Sequence, residues 1–207
     1  MSGQDSGSTR QDQILERAFE LIREGGLAGL TMKKVAERVG FTEPAIYRHF
    51  PNKEALLLGV ADRLGSLFLG PVREIDARAD LSPLERIERM VAHHIGLIWD
   101  TDGLPILLLA EATASTGDGL LRKMSGFAGT YLGIVAKTAA EVPLPAGSPP
   151  VPQVVLPVLG LAAAVALERR MLPGRHLDRE EAVDLARYVV RRLLSPLSPL
   201  SPQKDRS

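Results

Sequence analysis

The sequence contains no cysteine, which excludes a disulfide framework and any thiolate metal site. Its opening, MSGQDSGSTR, has no apolar run ahead of a small-residue cleavage site, so a secretory signal is not expected. The longest apolar stretch, residues 154–167, carries Pro157 and Gly160. It is shorter than a bilayer crossing requires and reads as a buried helix. No membrane partner and a cytoplasmic location are expected. An excess of one charge is also missing, because 25 Lys and Arg balance 25 Asp and Glu. Neutrality alone argues against a nucleic-acid partner, but the distribution matters more than the sum. Between Thr31 and Lys53 five basic residues (Lys33, Lys34, Arg38, Arg48, Lys53) face two acidic ones (Glu37, Glu43). A small basic face of that kind suffices for phosphate contact when a protein binds as a dimer.

The remaining composition, 45% hydrophobic and 24% charged, is that of an ordinary globular chain with a sizeable core. Strand patterning is absent and helical spacing recurs, so the expected fold class is all-α. Ile14, Leu15, Ala18, Phe19, Leu21 and Ile22 define a first helix that Gly25-Gly26 stops. Short helices follow at about 32–39, ended by Gly40, and at about 43–50, ended by Pro51. A longer one opens at the N-cap Asn52 and runs to Gly70. Further helices are expected at about 83–100, 104–113, 118–141, 153–171 and 178–194, about nine in all. The Pro-, Gly- and Ser-rich stretch 143–152 separates two of them. The expected organisation is a first domain over residues 10–70 and a second over 71–195. Residues 1–8 and the Ser-Pro-rich end, 196–207, are expected to be disordered.

The segment TMKKVAERVGFTEPAIYRHFPNKEAL carries the functional argument. A helix-turn-helix needs a small residue where its two helices cross, a residue tolerant of positive φ at the turn, and apolar pins to the core. Ala36, Gly40, and Val35, Val39, Phe41 and Ile46 supply these in register. Lys33 and Lys34 lie in the first turn of one helix and Lys53 in that of another. Cations there oppose the helix macrodipole by about 0.3–1 kcal/mol each, and a docked phosphate would reverse that term.

On these residues the first 70 positions resemble the DNA-binding domain of the tetracycline-repressor (TetR) family. The matching elements are QILERAFELIREGG, LTMKKVAERVGFTEPAIYRHF and PNKEALL, with Tyr47-Arg48-His49-Phe50 and Pro51-Asn52-Lys53 especially typical. The resemblance implies a homodimeric regulator of double-stranded DNA with a pseudo-palindromic operator, usually a repressor. It assigns Thr42, Glu43, Pro44 and Ala45 to the groove-facing start of the recognition helix, and Thr31, Tyr47, His49 and Lys53 to phosphates. Read from the residues, Ala45 suits a thymine methyl, Arg48 a guanine or a phosphate, and Glu43 a cytosine amine. The competing readings are that Glu43 merely favours a helix N-terminus and that Thr42 merely caps it. At Lys34 many family members carry an acidic residue that would close a capping box with Thr31.

In the second domain the penultimate helix is apolar almost all round. The last has a stripe at Ala182, Val183, Ala186, Val189, Val190, Leu193 and Leu194. The resemblance implies that these two helices form a homodimer interface, with packing inside one chain as the alternative. His93, His94, Trp99, Met124, Phe127 and Tyr131 are candidates to line a cavity for a hydrophobic small-molecule effector, plain core being the competing reading. Charges near them, Arg86, Glu88, Asp118, Arg122 and Lys123, fall near helix ends, which disfavours a highly charged ligand. Binding would tilt the fourth helix and change the spacing of the recognition helices. The adjacent histidines lie on different sides of a helix, so no metal is expected, and no cofactor. The rival class, an all-α enzyme, lacks a nucleophile elbow, an HExxH motif, a phosphate-cradling glycine loop and a paired-carboxylate motif. A constitutive regulator without effector is the other alternative.

Overall fold

A computed structural model describes residues 9–114, 117–144, 150–171, 174 and 177–194, with the side chains of 154 and 169–171 outside that set. The expected disorder of 1–8 and 196–207 therefore falls outside the described residues. Nine helices and no strands are present among the described residues: α1 (Arg10–Gly29), α2 (Met32–Val39), α3 (Glu43–His49), α4 (Lys53–Asp76), α5 (Pro83–Asp100), α6 (Leu104–Ala114), α7 (Gly119–Ala139), α8 (Val151–Met171) and α9 (Arg179–Leu194). The chain divides into two compact units that are not contiguous in sequence. The first joins residues 1–67 with 101–128, and the second joins 68–100 with 129–207. α4 and α7 contribute residues to both.

In the first unit, α1 opens with a capping box in which Thr9 and Asp12 bond each other's backbone N–H. The Gly25-Gly26 stop is a kink: Gly26 takes φ +65°, and helical backbone resumes as far as Gly29. A buried stripe of Ile14, Leu15, Ala18, Leu21 and Ile22 faces inward, and both α2 and α6 pack against α1. Two glycines in α4 set close approaches. A Cβ at Gly59 would lie 2.8 Å from the Phe50 ring and 3.0 Å from Leu15. At Gly65 it would overlap the Phe127 ring.

α4 does not end at Gly70 as expected. It runs through Pro71 to Asp76, although an interior proline removes one helical hydrogen bond and crowds the carbonyl four residues before it. Leu69 and Val72 on either side are buried, which holds the last turns in place. α8 starts earlier than the apolar stretch 154–167 and runs over Val151–Met171. It and α4 are long and apolar enough to cross a bilayer by length and composition alone, a test that core helices also pass.

In the second unit α5 and α9 make the most extensive pairing, with α8 packed on both. A capping box between Ser82 and Glu85 opens α5. The Asp178 carboxylate accepts from the N–H groups of Glu180 and Glu181 at the start of α9. Arg191 on α9 forks onto the buried Glu88 of α5 at 2.5 and 2.9 Å, and Arg179 onto Asp100 at 3.0 and 3.1 Å. The Arg179 guanidinium crosses α5 directly over Gly96.

Glycine substitutions separate close approach from helix propensity. Gly59→Ala should lower unfolding stability by about 1–2 kcal/mol, because buried Phe50 and Leu15 must shift and overpacking outweighs the propensity gain. Gly133→Ala in α7, where an added Cβ meets open space, should raise it by about 0.5–1 kcal/mol. Urea unfolding curves of the two variants should move in opposite directions.

Candidate nucleic-acid interface

α2 and α3 are joined by a tight turn built on Gly40. It sits at φ +78°, ψ +30° and donates its N–H to the Ala36 and Glu37 carbonyls. Only glycine adopts that conformation without steric cost. Phe41 N–H returns to the Ala36 carbonyl at 2.9 Å, and the buried Ala36 side chain leaves room for the crossing. Val35 and Ile46 are fully buried, and Phe50 nearly so. Val39 and Phe41 are half-buried, Phe41 under the Arg10 guanidinium at 5.2 Å. α3 is thus pinned by one face while its first turn projects into solvent.

Of the ten residues expected at DNA, Thr31, Lys33, Thr42, Glu43, Pro44, Tyr47, Arg48 and His49 are exposed, and Ala45 and Lys53 are half-buried. The Thr42 hydroxyl makes no cap hydrogen bond, so capping does not account for it. Thr31 does cap α2, its Oγ1 accepting from Lys34 N–H at 3.2 Å. With lysine at 34 the reciprocal half of a capping box is missing, and no acidic residue stands in the first turn of α2.

The basic residues divide into two groups. Arg38 forks onto Glu24 of α1 at 2.8 and 2.7 Å, with Glu20 at 3.7 Å. The bond to Glu24 raises the pKa of Arg38 and lowers that of Glu24. This pair ties α2 to α1 and leaves Arg38 little reach for another anion. Lys53 Nζ donates to the Leu27 carbonyl, past the α1 kink, at 2.9 Å. The sequence expectation missed that bond, whose only sequence signal was the Gly25-Gly26 pair. Lys33 has a loose contact with Glu37 at 4.0 Å, while Lys34 and Arg48 make no ion pair among the described residues. The exposed cations therefore lie at the start of α2 and on α3.

The candidate effector residues separate. Met124 and Phe127 belong to the first unit, where Phe127 fills the notch at Gly65. His93, His94, Trp99 and Tyr131 belong to the second. There Phe68, His94 and Tyr131 form a ring cluster with centroid separations of 4.7, 4.8 and 5.0 Å. His93 stacks on Phe68 at 6.4 Å, and its Nε2 lies 3.2 Å from the Phe68 carbonyl oxygen. The two adjacent histidines thus straddle one phenylalanine. Trp99 is half-buried in α5. The supposed helix-end charges also prove specific, because Glu88 is buried against Arg191, and Arg86 bonds the Asp76 carbonyl and the Glu141 carboxylate.

Residues 14–60 match the family model described as "Bacterial regulatory proteins, tetR family". Over 55 residues the chain is 40% identical to the tetracycline repressor protein class C of Escherichia coli, covering 27% of this chain and 25% of that repressor. The chain thus aligns with only about a quarter of that relative's length. A transcriptional regulator of the TetR/AcrR family from Thermobifida fusca is similar over 91% of this chain and 98% of its own, with 26% identity and a TM-score of 0.70. AibR, solved in complex with isovaleryl coenzyme A and operator DNA, shares the fold at 24% identity and a TM-score of 0.67, over 91% of this chain and all of its own.

Stability measurements distinguish the two groups of cations without DNA. Lys53→Met keeps the aliphatic stem but leaves the Leu27 carbonyl without its charged donor. It should cost about 1 kcal/mol in urea unfolding, after allowing for partial exposure. Arg48→Ala should stay within about 0.5 kcal/mol of the parent.

Proposed function

We propose, on the match of residues 14–60 to the tetR family of bacterial regulatory proteins, that this chain is a cytoplasmic homodimeric transcriptional repressor of that family rather than an enzyme. Each protomer inserts α3 into the major groove of a pseudo-palindromic operator. The observation that carries this reading is the geometry of α3: buried on Ile46, exposed at Thr42, Glu43, Pro44 and Tyr47, and flanked by Lys33, Lys34 and Arg48. Thr42, Glu43, Pro44 and Ala45 read bases. Thr31, Lys33, Tyr47, Arg48, His49 and Lys53 contact phosphate, or guanine in the case of Arg48. Lys53 must leave or share its Leu27 contact to do so.

The dimer forms through α8 and α9, but not through the stripe the sequence suggested. Ala182, Val183, Ala186, Val190 and Leu194 are buried within the chain, leaving Leu185 and Tyr188 of α9 at 41% and 57% exposure. On α8, Leu156 and Leu167 are 60% and 49% exposed, with exposed Gly160 and Ala164 between them on one helical face. An apolar face of this kind on two neighbouring helices supports an isologous helix-pair interface.

The second unit binds a mainly apolar small molecule that releases the operator, as the buried ring cluster of Phe68, His94 and Tyr131 suggests. α4, which carries Lys53 at its start and Phe68 beyond its middle, supplies the covalent route for coupling. A useful switch needs a coupling of about 1–3 kcal/mol between ligand and DNA.

Selection from random duplex DNA tests the first part. The parent should enrich an inverted repeat with half-sites about 34–36 Å apart or somewhat more. Arg48→Ala should lower affinity and, if Arg48 contacts phosphate, reduce the salt slope by about 0.9. Recovery of no inverted repeat would defeat the dimeric reading.

Sedimentation tests the interface. Leu185→Glu should yield a folded monomer with weakened operator binding. Val190→Glu, at a fully covered position, should instead unfold the protein by placing an unpaired carboxylate in the core. A Leu185→Glu protein that stays dimeric would move the interface elsewhere, and parent protein sedimenting with lipid vesicles would assign the α8 face to a membrane.

A further inference from the structure

Two polar atoms at the edges of the ring cluster in the second unit have no hydrogen-bond partner among the described residues. The Tyr131 hydroxyl is fully buried, and neither it nor His94 Nδ1 has a hydrogen-bond partner among the described residues. Both side chains lie deep in the fold, Tyr131 at 0% and His94 at 7% exposure, with their rings edge-on at 5.0 Å. Phe68 lies against both rings, 4.7 Å from His94 and 4.8 Å from Tyr131. A buried donor or acceptor left unmade costs about 1–3 kcal/mol, and native folds keep few of them. Two such atoms stand on neighbouring rings.

We propose that the Tyr131 hydroxyl and His94 Nδ1 jointly bind the uncharged polar group, a carbonyl or a hydroxyl, of an otherwise apolar ligand seated against Phe68. This rests on the reading of the second unit as an effector site and specifies the chemistry of that site. Tyr131 donates its O–H to the ligand oxygen. His94 Nδ1 donates or accepts according to tautomer, donating to a carbonyl and accepting from a hydroxyl. The cluster favours a neutral group over an anion. Burial holds the His94 imidazole neutral, its pKa pushed down to about 3 by desolvation and by neighbouring His93, and it keeps the Tyr131 hydroxyl protonated by raising its pKa. Neither side chain therefore supplies a positive charge for a carboxylate.

Four near-isosteric probes test this on the full-length protein by ligand-detected NMR titration: acetophenone, 1-phenylethanol, ethylbenzene and benzoate. The parent should bind the ketone or the alcohol about tenfold more tightly than ethylbenzene, and benzoate more weakly than either. A tenfold difference is what one buried hydrogen bond supplies. Tyr131→Phe should cut the affinity for the ketone and the alcohol severalfold, His94 Nδ1 supplying what preference remains, while leaving ethylbenzene unchanged. Ligand-free Tyr131→Phe should melt at or above the parent temperature, since it removes a hydroxyl that has no partner. A fall of several degrees would show that the hydroxyl already has a structural partner and would overturn the proposal. Ethylbenzene binding as well as acetophenone in the parent would also overturn it, yet would leave an apolar effector site intact. Binding by none of the four probes would remove both.

Discussion

A helix of seven residues is not stable by itself. Nucleation is unfavourable, and isolated helices shorter than about 12–15 residues are marginal even in favourable sequences. α3 has seven residues, so its existence and its direction are both set by what it packs on. Ile46 fixes one face and Phe50 the exit, and Gly59 lets the Phe50 ring lie almost on the α4 backbone. Gly40 sets the angle at which the chain enters from α2. Those contacts in turn need α1, which Arg38 holds to α2 through Glu24. The aim of the exposed residues Thr42, Glu43 and Tyr47 thus depends on the packing of side chains that touch no ligand.

The same dependence sorts the charges. A neutral chain with one basic segment looks at first like a field spread over the whole segment. The structure divides it into cations that hold the fold and cations that face water. Arg38 belongs to the first group and Lys34 and Arg48 to the second, with Lys53 between them because its donor already meets the Leu27 carbonyl. Exposed ion pairs contribute little to stability. The bidentate Arg38–Glu24 pair therefore matters more for fixing geometry than for energy.

Much of the first unit was legible because its signals are local. Gly40, Ala36, Ile46 and the Asn52 cap act within a few residues of where they stand, and hydrophobic spacing over 30–60 leaves few alternatives. The second unit was less legible for a definite reason. Periodicity reveals which face of α9 is apolar but not what covers it. Of the stripe at Ala182, Val183, Ala186, Val189, Val190, Leu193 and Leu194, all but the half-buried Val189 and Leu193 are covered within the chain, whereas Leu185 and Tyr188 remain outside. Phe127 was likewise readable as a large aromatic side chain. Its partner, the missing Cβ of Gly65 more than 60 positions away, had no signature in the sequence. Pro71 suggested a helix end, because a proline's local cost is visible while the burial that offsets it is not.

The polar groups of the second unit show the logic that makes one cluster in it unusual. Glu88 is buried but takes two bonds from Arg191. Asp76 receives a bond from the Thr138 hydroxyl and faces Arg86 and Lys137. Thr138, fully buried, also donates to the Ile134 carbonyl. Glu88, Asp76 and Thr138 thus each meet a partner, as stability favours when single unmet groups cost as much as a core methyl or more, although Arg86 Nε, buried beside them, has no hydrogen-bond partner among the described residues. Tyr131 and His94 break that pattern at adjacent positions, on rings whose apolar faces are well packed. A phenylalanine at 131 would keep the packing and remove the unmet hydroxyl, so packing alone does not account for tyrosine there. An unmet polar group in a buried cluster destabilises the empty site relative to the occupied one and so adds to ligand affinity. It biases a shift between two conformations only to the extent that the other conformation already satisfies that group.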